Sequence, residues 1–376
     1  MPNTKPDLFF DEGGVCDACR SAELKNKIDW DSRKHEFEDL VKKYRGKNGS
    51  NYDCIVPVSG GKDSHYQVYM IKKVYGMNPL LVHFEPTKRT ELGRKNLDNI
   101  KKAFGVDMLV LEKNPVVYEK MCLECFRRVG DHEWPNHVGI FTFPVRMAVQ
   151  LNIPLVIWGE NSQLEYGGPK AARMKDSLNR RWLEEFGGLL GHRIEDMIGI
   201  DDITKEDLVS FMYPAEEDLK RGGITGVFLG YYFKWDARAQ VDLMKRHGFS
   251  IREDGPIEGT YTNYENLDDA LVSIHDYLKF IKFGFGRATD HACIDIRNGR
   301  LNRKEAVDLV KKYDGKLFKH VVDNFCVFFN ISRDEFFKIV DSFTNKALFA
   351  TDNKGVLIRD DDGDLVKRYQ DYGERY

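Results

Sequence analysis

Four short apolar runs alternate with helical patterns between residues 54 and 159, and this alternation restricts the possible folds more than any other feature of the chain. The runs read CIVPV, NPLLVHF, VDMLVLE and IPLVIWG, and each has the length and β-rich composition of a buried strand. Helical periodicity separates them, with stop signals at Gly76 and Gly105. Strands and helices that alternate at this spacing predict βαβ units, in which helices cover both faces of a parallel sheet.

The segments that flank this region have a different character. Residues 1–30 are polar and rich in turn formers, so they need a protein surface or a bound metal to hold them in place. A helix is predicted over residues 31–45, with Asp31 or Ser32 as its N-cap. Beyond about residue 170 the alternation fades. Helical patterns such as LDDALVSIHDYLKFIKF and SRDEFFKIVDSFTN follow, and KGVLIRDDDGDLVKRY has the pattern of a hairpin around an Asp-Gly turn.

We therefore predict an α/β fold in three parts. Residues 1–30 form a cysteine-containing N-terminal segment, and residues 31–170 form a parallel-sheet domain that binds a ligand at its strand ends. Residues 171–376 form a mostly helical region that completes the substrate site.

Composition and charge restrict the function. The formal net charge of −3 is nearly neutral for 376 residues, so the chain lacks the basic excess of proteins that grip nucleic acid. Its apolar stretches fall short of the roughly 20 residues that a membrane helix needs. The N-terminus has neither the basic region nor the apolar region of a signal peptide. A cytoplasmic protein with reduced cysteines is expected.

The hexapeptide SGGKDS, residues 59–64, follows the first predicted strand and precedes a helix. A glycine pair lets backbone N–H groups point into one concavity that no Cβ obstructs. Lys62 adds a positive charge, and Ser59 and Ser64 add hydroxyl donors, so the loop suits a polyanion such as a nucleotide phosphate. Asp63 fits such a site when a divalent cation bridges it to the phosphates. A tight capped turn is the alternative for the glycine pair alone.

SGGKDS resembles the PP-loop of the ATP pyrophosphatase superfamily, which includes argininosuccinate synthetase, asparagine synthetase, GMP synthetase and tRNA thiolation enzymes. Four longer segments resemble the N-acetyl sugar amidotransferase family, which serves lipopolysaccharide O-antigen and nonulosonic acid pathways. They read MPNTKPDLFFDEGGVCDAC, IWGENSQLEYGG, FLGYYFKWD and IKFGFGRATDHACIDIRNGR, so the resemblance runs over nearly the whole length. Family members usually carry a further C-x-x-C just before the M-P-[ND]-T segment, and this sequence begins at that methionine.

The resemblance implies an adenine nucleotide α-hydrolase-like domain and a two-step reaction. The acetamido oxygen of a sugar, carried on a nucleotide, attacks the α-phosphate of ATP and forms an imidoyl-adenylate. Ammonia then displaces AMP and leaves an acetamidino group. The chain shows no glutaminase cysteine motif, and Pro2 occupies the place of an N-terminal cysteine nucleophile. A separate glutaminase and an ammonia-conducting barrel, both resembling the imidazole glycerol phosphate synthase pair, are therefore the expected partners.

The resemblance also assigns roles to individual residues. The predicted contacts of ATP and Mg²⁺ are Ser59, Gly60, Gly61, Lys62, Asp63, Ser64, His83 and Phe84. The predicted catalytic residues are Lys62, Asp63, Glu160 and Asn161. The predicted sugar contacts are Glu165, Tyr166, Gly167, Lys234, Trp235, Asp236, Arg287 and His291. Core packing is the alternative for Phe84 and Trp235, and an exposed loop is the alternative for the segment at Glu165.

Two C-x-x-C pairs, Cys16 with Cys19 and Cys122 with Cys125, lie far apart in the sequence. Four thiolates suit a single tetrahedral site, so we predict that both pairs hold one structural Zn²⁺ that fastens the polar N-terminal segment. An iron–sulfur cluster is one alternative, and the absence of any metal is the other.

Two further functions remain open at this stage. A tRNA sulfurtransferase also combines a PP-loop with cysteine pairs, although the near-neutral charge counts against it. A nucleotide-binding scaffold without catalysis is the third possibility, and the intact SGGKDS counts against it. The histidines of HEWPNH, residues 132–137, lack the spacing of H-E-x-x-H and are predicted to lie in a loop.

Overall fold

A five-stranded parallel sheet forms the centre of the computed structural model, which describes residues 1–160, residue 165 and residues 191–368. The spatial order of the strands is β3-β2-β1-β4-β5, and every neighbouring pair is parallel. The strands are β1 (Cys54–Pro57), β2 (Pro79–Phe84), β3 (Asp107–Leu111), β4 (Leu155–Trp158) and β5 (Thr225–Phe228). The predicted α/β class, with a parallel sheet and a helical C-terminal region, is therefore confirmed.

Helices connect and cover the strands, and further helices form most of the described C-terminal region. In chain order they are α1 (Asp17–Lys25), α2 (Trp30–Tyr44), α3 (Lys62–Val68), α4 (Glu91–Phe104), α5 (Pro115–Val129), α6 (Trp134–Gln150), α7 (Glu216–Gly222), α8 (Leu229–Tyr232), α9 (Ala237–Lys245), α10 (Val272–Phe283), α11 (Arg287–Arg297), α12 (Arg303–Tyr313), α13 (Lys319–Phe329) and α14 (Arg333–Phe343). A π-helical stretch, Tyr69–Val74, continues α3. Short 3₁₀ turns lie at Ile194–Met197, Ile200–Asp202 and Val209–Phe211.

The central strands are buried because helices cover both faces of the sheet. Alternate residues of a strand point to opposite faces. Along β1, Ile55 packs in one hydrophobic cluster, together with residues of α5, α6, α10, α13 and α14. Cys54 and Val56 pack in the other cluster, with residues of α2, α3, α4 and α9. Because both faces are apolar, the strands show continuous apolar runs rather than a polar–apolar alternation.

Three local features differ from the predictions. The fifth strand, β5, lies in the region expected to be helical, because its four residues are too few and too mixed to show a strand pattern. Helix α2 begins at Trp30, and its N-cap is Asp29, whose side chain accepts a hydrogen bond from the Ser32 backbone N–H. The segment HEWPNH does not form an exposed loop: His132 and Glu133 are buried, and Trp134 begins α6.

The described end of the chain forms a small antiparallel arrangement, as its sequence pattern predicts. Isolated bridges pair Phe349 with Lys367 and Arg359 with Leu365, so the chain turns back at the Asp-Gly segment between them. No helix in the described parts of the chain is long and apolar enough to cross a membrane.

A partly buried ion pair joins the C-terminal helices to the α/β part. Nδ1 of His275, on α10, lies 2.8 Å from Oδ1 of Asp131, which comes just before α6. Burial alone lowers the pKa of His275, but the charge of Asp131 outweighs burial and raises it. Burial likewise opposes the charge of Asp131, yet His275 holds the pKa of that carboxyl below its usual range. Each group of the pair therefore favours the charged form of the other.

Stability is expected to depend on this pair over a defined pH range. The raised pKa of His275 adds stability that is fully present below the unfolded value of about 6.5 and is lost as pH rises through the folded value. The depressed pKa of Asp131 adds stability that is lost as pH falls below about 3.9. His275→Gln should cost about 1–3 kcal/mol between these limits, because the partly buried Asp131 carboxylate loses a charged hydrogen-bond donor. Urea unfolding at a series of pH values measures the difference, and a difference that does not shrink towards alkaline pH would contradict the assignment.

Gly139 provides a second test of the packing. A Cβ at this position of α6 would overlap the ring of Phe84, on β2. Alanine favours a helix by about 1 kcal/mol over glycine, whereas overpacking a core costs about 1–3 kcal/mol. We expect Gly139→Ala to lower the free energy of unfolding in urea, and the double variant with Phe84→Leu to recover part of the loss. Gly13→Ala is the control, because a Cβ added there would have its nearest contact with Asp11 Oδ1 at 3.4 Å, an ordinary van der Waals distance.

Candidate functional site

The SGGKDS loop lies at the carboxyl end of β1, where open parallel sheets bind ligands. Gly60 has φ +100°, and a Cβ there would come within 3.2 Å of the Gly93 carbonyl oxygen and 3.3 Å of the Leu97 backbone nitrogen. The position therefore needs glycine for its conformation and for the close approach of α4. Within the loop, the Ser59 backbone N–H donates to Ser64 Oγ at 2.9 Å.

Lys62 is the buried cation of the site, with 5% of its surface exposed. Its Nζ lies 2.7 Å from Oδ2 of Asp63 and 2.8 Å from Oε1 of Glu265. Burial disfavours the positive charge, but Asp63 and Glu265, followed by Glu160, outweigh burial and raise the pKa of Lys62. The lysine therefore stays charged at physiological pH, and both of its ion-pair partners are carboxylates.

Carboxylates outnumber lysines in this part of the site. Glu160, directly after β4, has its pKa raised to about 8 by burial and then by the charge of Asp63. Burial also raises the pKa of Glu165, although Lys25 forms an ion pair with it. With Asp63 and Glu265, four acidic groups face three basic side chains of the described residues: Lys62, Lys25, and Arg297, whose charge opposes the shift at Glu165. The surplus of negative charge calls for a proton or a further cation.

A second network of charged side chains also belongs to the site, and in it two arginines balance two aspartates. Arg300 lies 2.9 Å from Asp236 and 2.7 Å from Asp295, and Arg238 lies 2.5 Å from Asp295. The Tyr261 hydroxyl also donates to Asp295, at 2.7 Å. Asp236 serves in addition as the N-cap of α9. These pairs fix the walls of the site without adding net charge.

A cavity of about 30 Å³ lies between the two sets of residues. The residues that line it are Lys62, Glu160, Glu165, Trp235, Ala237, Tyr264, Glu265, His291, Ile294, Asp295 and Arg300. Trp235 is buried, and its Nε1–H donates to Oδ1 of Asp63 at 3.2 Å. The structure thus brings together Lys62, Glu160, Glu165, Trp235 and His291, which the sequence predicts, with residues that it does not predict.

His291 is the neutral member of the lining. Its Nδ1 lies 2.7 Å from Oγ1 of Thr260, and Nε2 is buried without a hydrogen-bond partner among the described residues. Burial lowers the pKa of His291 to about 3, so the imidazole is uncharged at physiological pH.

His83 and Phe84 end β2 but do not line the cavity. Arg89 donates to Nε2 of His83 at 2.9 Å, which places the ring proton on Nδ1, where it is donated to the Val58 carbonyl at 2.7 Å. Burial lowers the pKa of His83 to about 4. The ring of Phe84 packs against Phe143 and other aromatic rings of the core, so its role in this structure is packing.

Several predicted sugar contacts lie elsewhere. Lys234 is exposed and does not line the cavity. Arg287 pairs with Asp276 at 2.9 Å, one helical turn before His291. Asn161, Tyr166 and Gly167 lie outside the described residues.

The two cysteine pairs do not meet. The sulfurs of Cys16 and Cys19 lie 3.5 Å apart in a small cluster of the N-terminal segment. The hydrogen bond from Cys19 lowers the pKa of Cys16 to about 5. Cys122 and Cys125 are buried on α5 in the main core, where burial raises the pKa of both thiols.

The expected site with four thiolates is therefore not formed in this structure. Among the described residues, one group of three or more His, Cys, Asp or Glu has all its ligand atoms within 4.8 Å, and it consists of Asp360, Asp362 and Asp364. Cys122 and Cys125 serve as core residues here, because burial in apolar surroundings opposes the thiolate form that a metal needs. A structural Zn²⁺ held by the cysteine pairs stays a prediction.

Sequence reasoning missed Tyr264, Glu265, Asp295 and Arg300. Each lies outside a strand–helix junction, in a segment whose pattern resembles any polar loop or helix face. The only available signal was the position of Asp295 and Arg300 inside the longer segment IKFGFGRATDHACIDIRNGR.

Two comparisons with known proteins bear on this chain, and one of them covers residues of the site. Residues 258–360 match the family model for the C-terminal domain of WbpG-like LPS biosynthesis proteins. That match includes Glu265, His291, Asp295 and Arg300. The uncharacterized protein MJ1599 of Methanocaldococcus jannaschii is 24% identical over 183 residues, which make up 46% of this chain and 61% of MJ1599.

The two glycines of the loop are a matched pair for testing its geometry. Gly60→Ala forces a side chain into a left-handed conformation against the backbone of α4, so we expect a loss of about 1–3 kcal/mol in unfolding free energy. Gly61 has φ −70°, and a Cβ added there would have its nearest contact with Ser59 Oγ, at 3.4 Å. Gly61→Ala should therefore lower the free energy of unfolding by less than about 1 kcal/mol. Urea unfolding compares the two, and equal losses would contradict this loop geometry.

Proposed function

We propose that the protein is an ATP-dependent amidotransferase of surface-polysaccharide biosynthesis. It converts an acetamido group of a nucleotide-linked sugar to an acetamidino group through an imidoyl-adenylate. The observation that carries this proposal is the position of the SGGKDS loop. Lys62 of that loop lies in one cavity with Glu265, His291, Asp295 and Arg300, which belong to the segment that matches WbpG-like LPS biosynthesis proteins.

The loop is suited to the triphosphate of ATP. The backbone around Gly60 and Gly61 is free of Cβ atoms, and Lys62 supplies a permanent positive charge next to it. Phosphates beside Asp63 and Glu265 repel these carboxylates unless a divalent cation lies between them. Carboxylate and phosphate oxygens are the ligands that Mg²⁺ takes, so Asp63 and Glu265 are the residues that would hold it. Bound Mg²⁺ would offset the charge of the departing pyrophosphate.

The chemistry proceeds in two displacements. The acetamido oxygen attacks the α-phosphorus of ATP, the bond to the β-phosphate oxygen breaks, and pyrophosphate leaves. Lys62 stabilises the negative charge that develops on the leaving group. Ammonia then attacks the imidoyl carbon, the C–O bond to AMP breaks, and an amidinium group remains. Adenylation is needed because an amide oxygen is otherwise a poor leaving group.

The remaining residues hold these groups in position. Trp235 donates to Asp63 and so orients that carboxylate relative to Lys62. Glu160 borders the same cavity and is suited to accept a proton there. Ligand sites for molecules of drug size occupy on the order of 300 Å³ or more, so a nucleotide-linked sugar must bind across the mouth of this small cavity. Arg300, which lines the cavity, and its partner Asp236 are a source of donors and acceptors for sugar hydroxyls.

A partner glutaminase with an ammonia-conducting barrel remains part of the proposal, since the sequence lacks a glutaminase motif. The alternative of a tRNA sulfurtransferase gains no support from the structure. Cys122 and Cys125, the pair that suggested it, lie in the hydrophobic core away from the cavity.

Product analysis tests the proposed reaction. With ATP, ammonium chloride and candidate nucleotide-linked acetamido sugars, the protein should release AMP and pyrophosphate, and mass spectrometry should show an amide oxygen replaced by NH. Lys62→Ala should lower the rate of AMP release by a factor of about 10²–10³, because a charge on the leaving group loses its partner. Lys73→Ala, an exposed lysine on the π-helical continuation of α3, is the control.

Release of ADP instead of AMP would refute the proposed reaction. A requirement for tRNA and a sulfur donor would favour the sulfurtransferase. Equal activity of Lys62→Ala and Lys73→Ala would refute the assignment of the phosphate site.

A further inference from the structure

We propose that the cavity beside Lys62 is a binding site for the ammonium ion, formed by the carboxylates of Glu160 and Glu165 and by Nε2 of His291. This inference rests on the proposed function, because it supplies the nitrogen nucleophile of that reaction. It is distinct from the proposed Mg²⁺ contact at Asp63, which does not line the cavity, whereas Lys62 and Glu265 border both.

The size of the cavity selects a small ligand. A cavity of about 30 Å³ accommodates one or two molecules of the size of water. Adenine and a sugar ring are far larger, whereas ammonium is close to water in size. The cavity nevertheless opens beside the phosphate loop, where the imidoyl carbon of the reaction would lie.

The charges around the cavity leave a place for one more cation. Lys62 is already shared by Asp63 and Glu265. Arg300 is held by Asp236 and Asp295, so it is not free to compensate the other carboxylates. Among the described residues, none donates a hydrogen bond to the carboxyl group of Glu160, whereas Lys25 pairs with Glu165 and the charge of Arg297 also acts on that carboxyl. With its pKa raised to about 8, Glu160 carries a proton near neutral pH, and a bound cation would favour the loss of that proton and take its place.

A second observation points independently to a ligand. His291 is 94% buried, lines the cavity and has Nε2 without a hydrogen-bond partner among the described residues. Thr260 Oγ1 is placed to accept a proton from Nδ1, and in that tautomer Nε2 has a lone pair for an N–H donor in the cavity. An unsatisfied buried nitrogen is costly, and a ligand with N–H donors recovers that cost.

The lining distinguishes ammonium from a divalent metal. Mg²⁺ demands an octahedral set of oxygen ligands and keeps several waters, for which this space is too small. Ammonium has four N–H donors for carboxylate oxygens and the imidazole nitrogen, and its charge is attracted by aromatic faces. Trp235 and Tyr264 are aromatic members of the lining, and Ile294 excludes water from part of it.

The bound ion becomes the nucleophile in a balanced step. One proton passes from NH₄⁺ to the carboxylate of Glu160, which leaves NH₃ and a neutral carboxyl group. The nitrogen lone pair forms a bond to the imidoyl carbon, and the C–O bond to AMP breaks with its electron pair on the phosphate oxygen. One proton of the attacking nitrogen ends on the imidoyl nitrogen, so the product is an amidinium ion.

Ammonium binding is tested on the protein alone, without ATP or sugar. Thermal unfolding is measured in ammonium, potassium, sodium and tetramethylammonium chloride at equal ionic strength. We expect ammonium to raise the unfolding temperature above the values in the other salts, in proportion to its occupancy. Glu160→Gln and His291→Leu should abolish the ammonium-specific increase. Glu253→Gln, an exposed glutamate outside the cavity, should retain it.

A kinetic measurement separates this inference from the proposed function. The nitrogen source in this measurement is ammonium chloride. Glu160→Gln and His291→Leu should raise KM for ammonium about tenfold or more, because each variant loses a hydrogen bond to the charged ammonium ion. KM for ATP should stay within about twofold, because the contacts of ATP are unchanged. Unfolding in sodium chloride shows whether each variant is folded.

The outcomes are distinct. Equal stabilisation by potassium and ammonium, or an ammonium effect that survives in both variants, would overturn the ammonium site even if amidine is formed. Ammonium-specific stabilisation that both variants lose would support the site even if no sugar is converted, and then the proposed reaction alone would fail.

Discussion

The burial of the Lys62 charge is the constraint on which the arrangement of the site depends. An ammonium group removed from water costs several kcal/mol unless carboxylates surround it. One of these carboxylates, Asp63, is its neighbour in the loop, but the other, Glu265, lies about 200 residues further along the chain. The segment before α10 therefore has to pack over the carboxyl end of the sheet, because only then does Glu265 reach the charge of Lys62. Closure also brings His291 and Arg300 into the same cavity.

This closure explains why the site has two kinds of wall. The α/β part supplies the phosphate loop and Glu160, both directly after strands, where parallel sheets expose ligand-binding loops. The C-terminal helices supply the paired network of Asp295 and Arg300 and the neutral histidine. The match to WbpG-like proteins covers only the residues that the C-terminal part contributes to the site. What this match implies for the reaction therefore depends on the contacts between these residues and the SGGKDS loop, such as the ion pair of Glu265 with Lys62.

The features of this structure that differ from the predictions share one physical cause: the spacing of residues in the sequence does not show which of them are buried. A C-x-x-C pair on a helix places two sulfurs on one face whether that face holds a metal or packs in a core, and Cys122 and Cys125 pack in the core. HEWPNH has the polar composition of a loop, yet His132 and Glu133 are buried beside α6. Phe84 ends a strand at the binding edge, but its ring turns into the aromatic core rather than towards the cavity.

The sequence by itself determined the four strands up to Trp158, their alternation with helices and the loop around Gly60, because these features depend on periodicity and on residues close together in the chain. It also identified Lys62, Glu160 and His291 as members of a site. Only the tertiary structure decided that Glu265 pairs with Lys62, that β5 completes the sheet and that Nε2 of His291 is left unsatisfied. These depend on contacts between distant segments, and the polar and short segments that make them carry no periodic signal of their own.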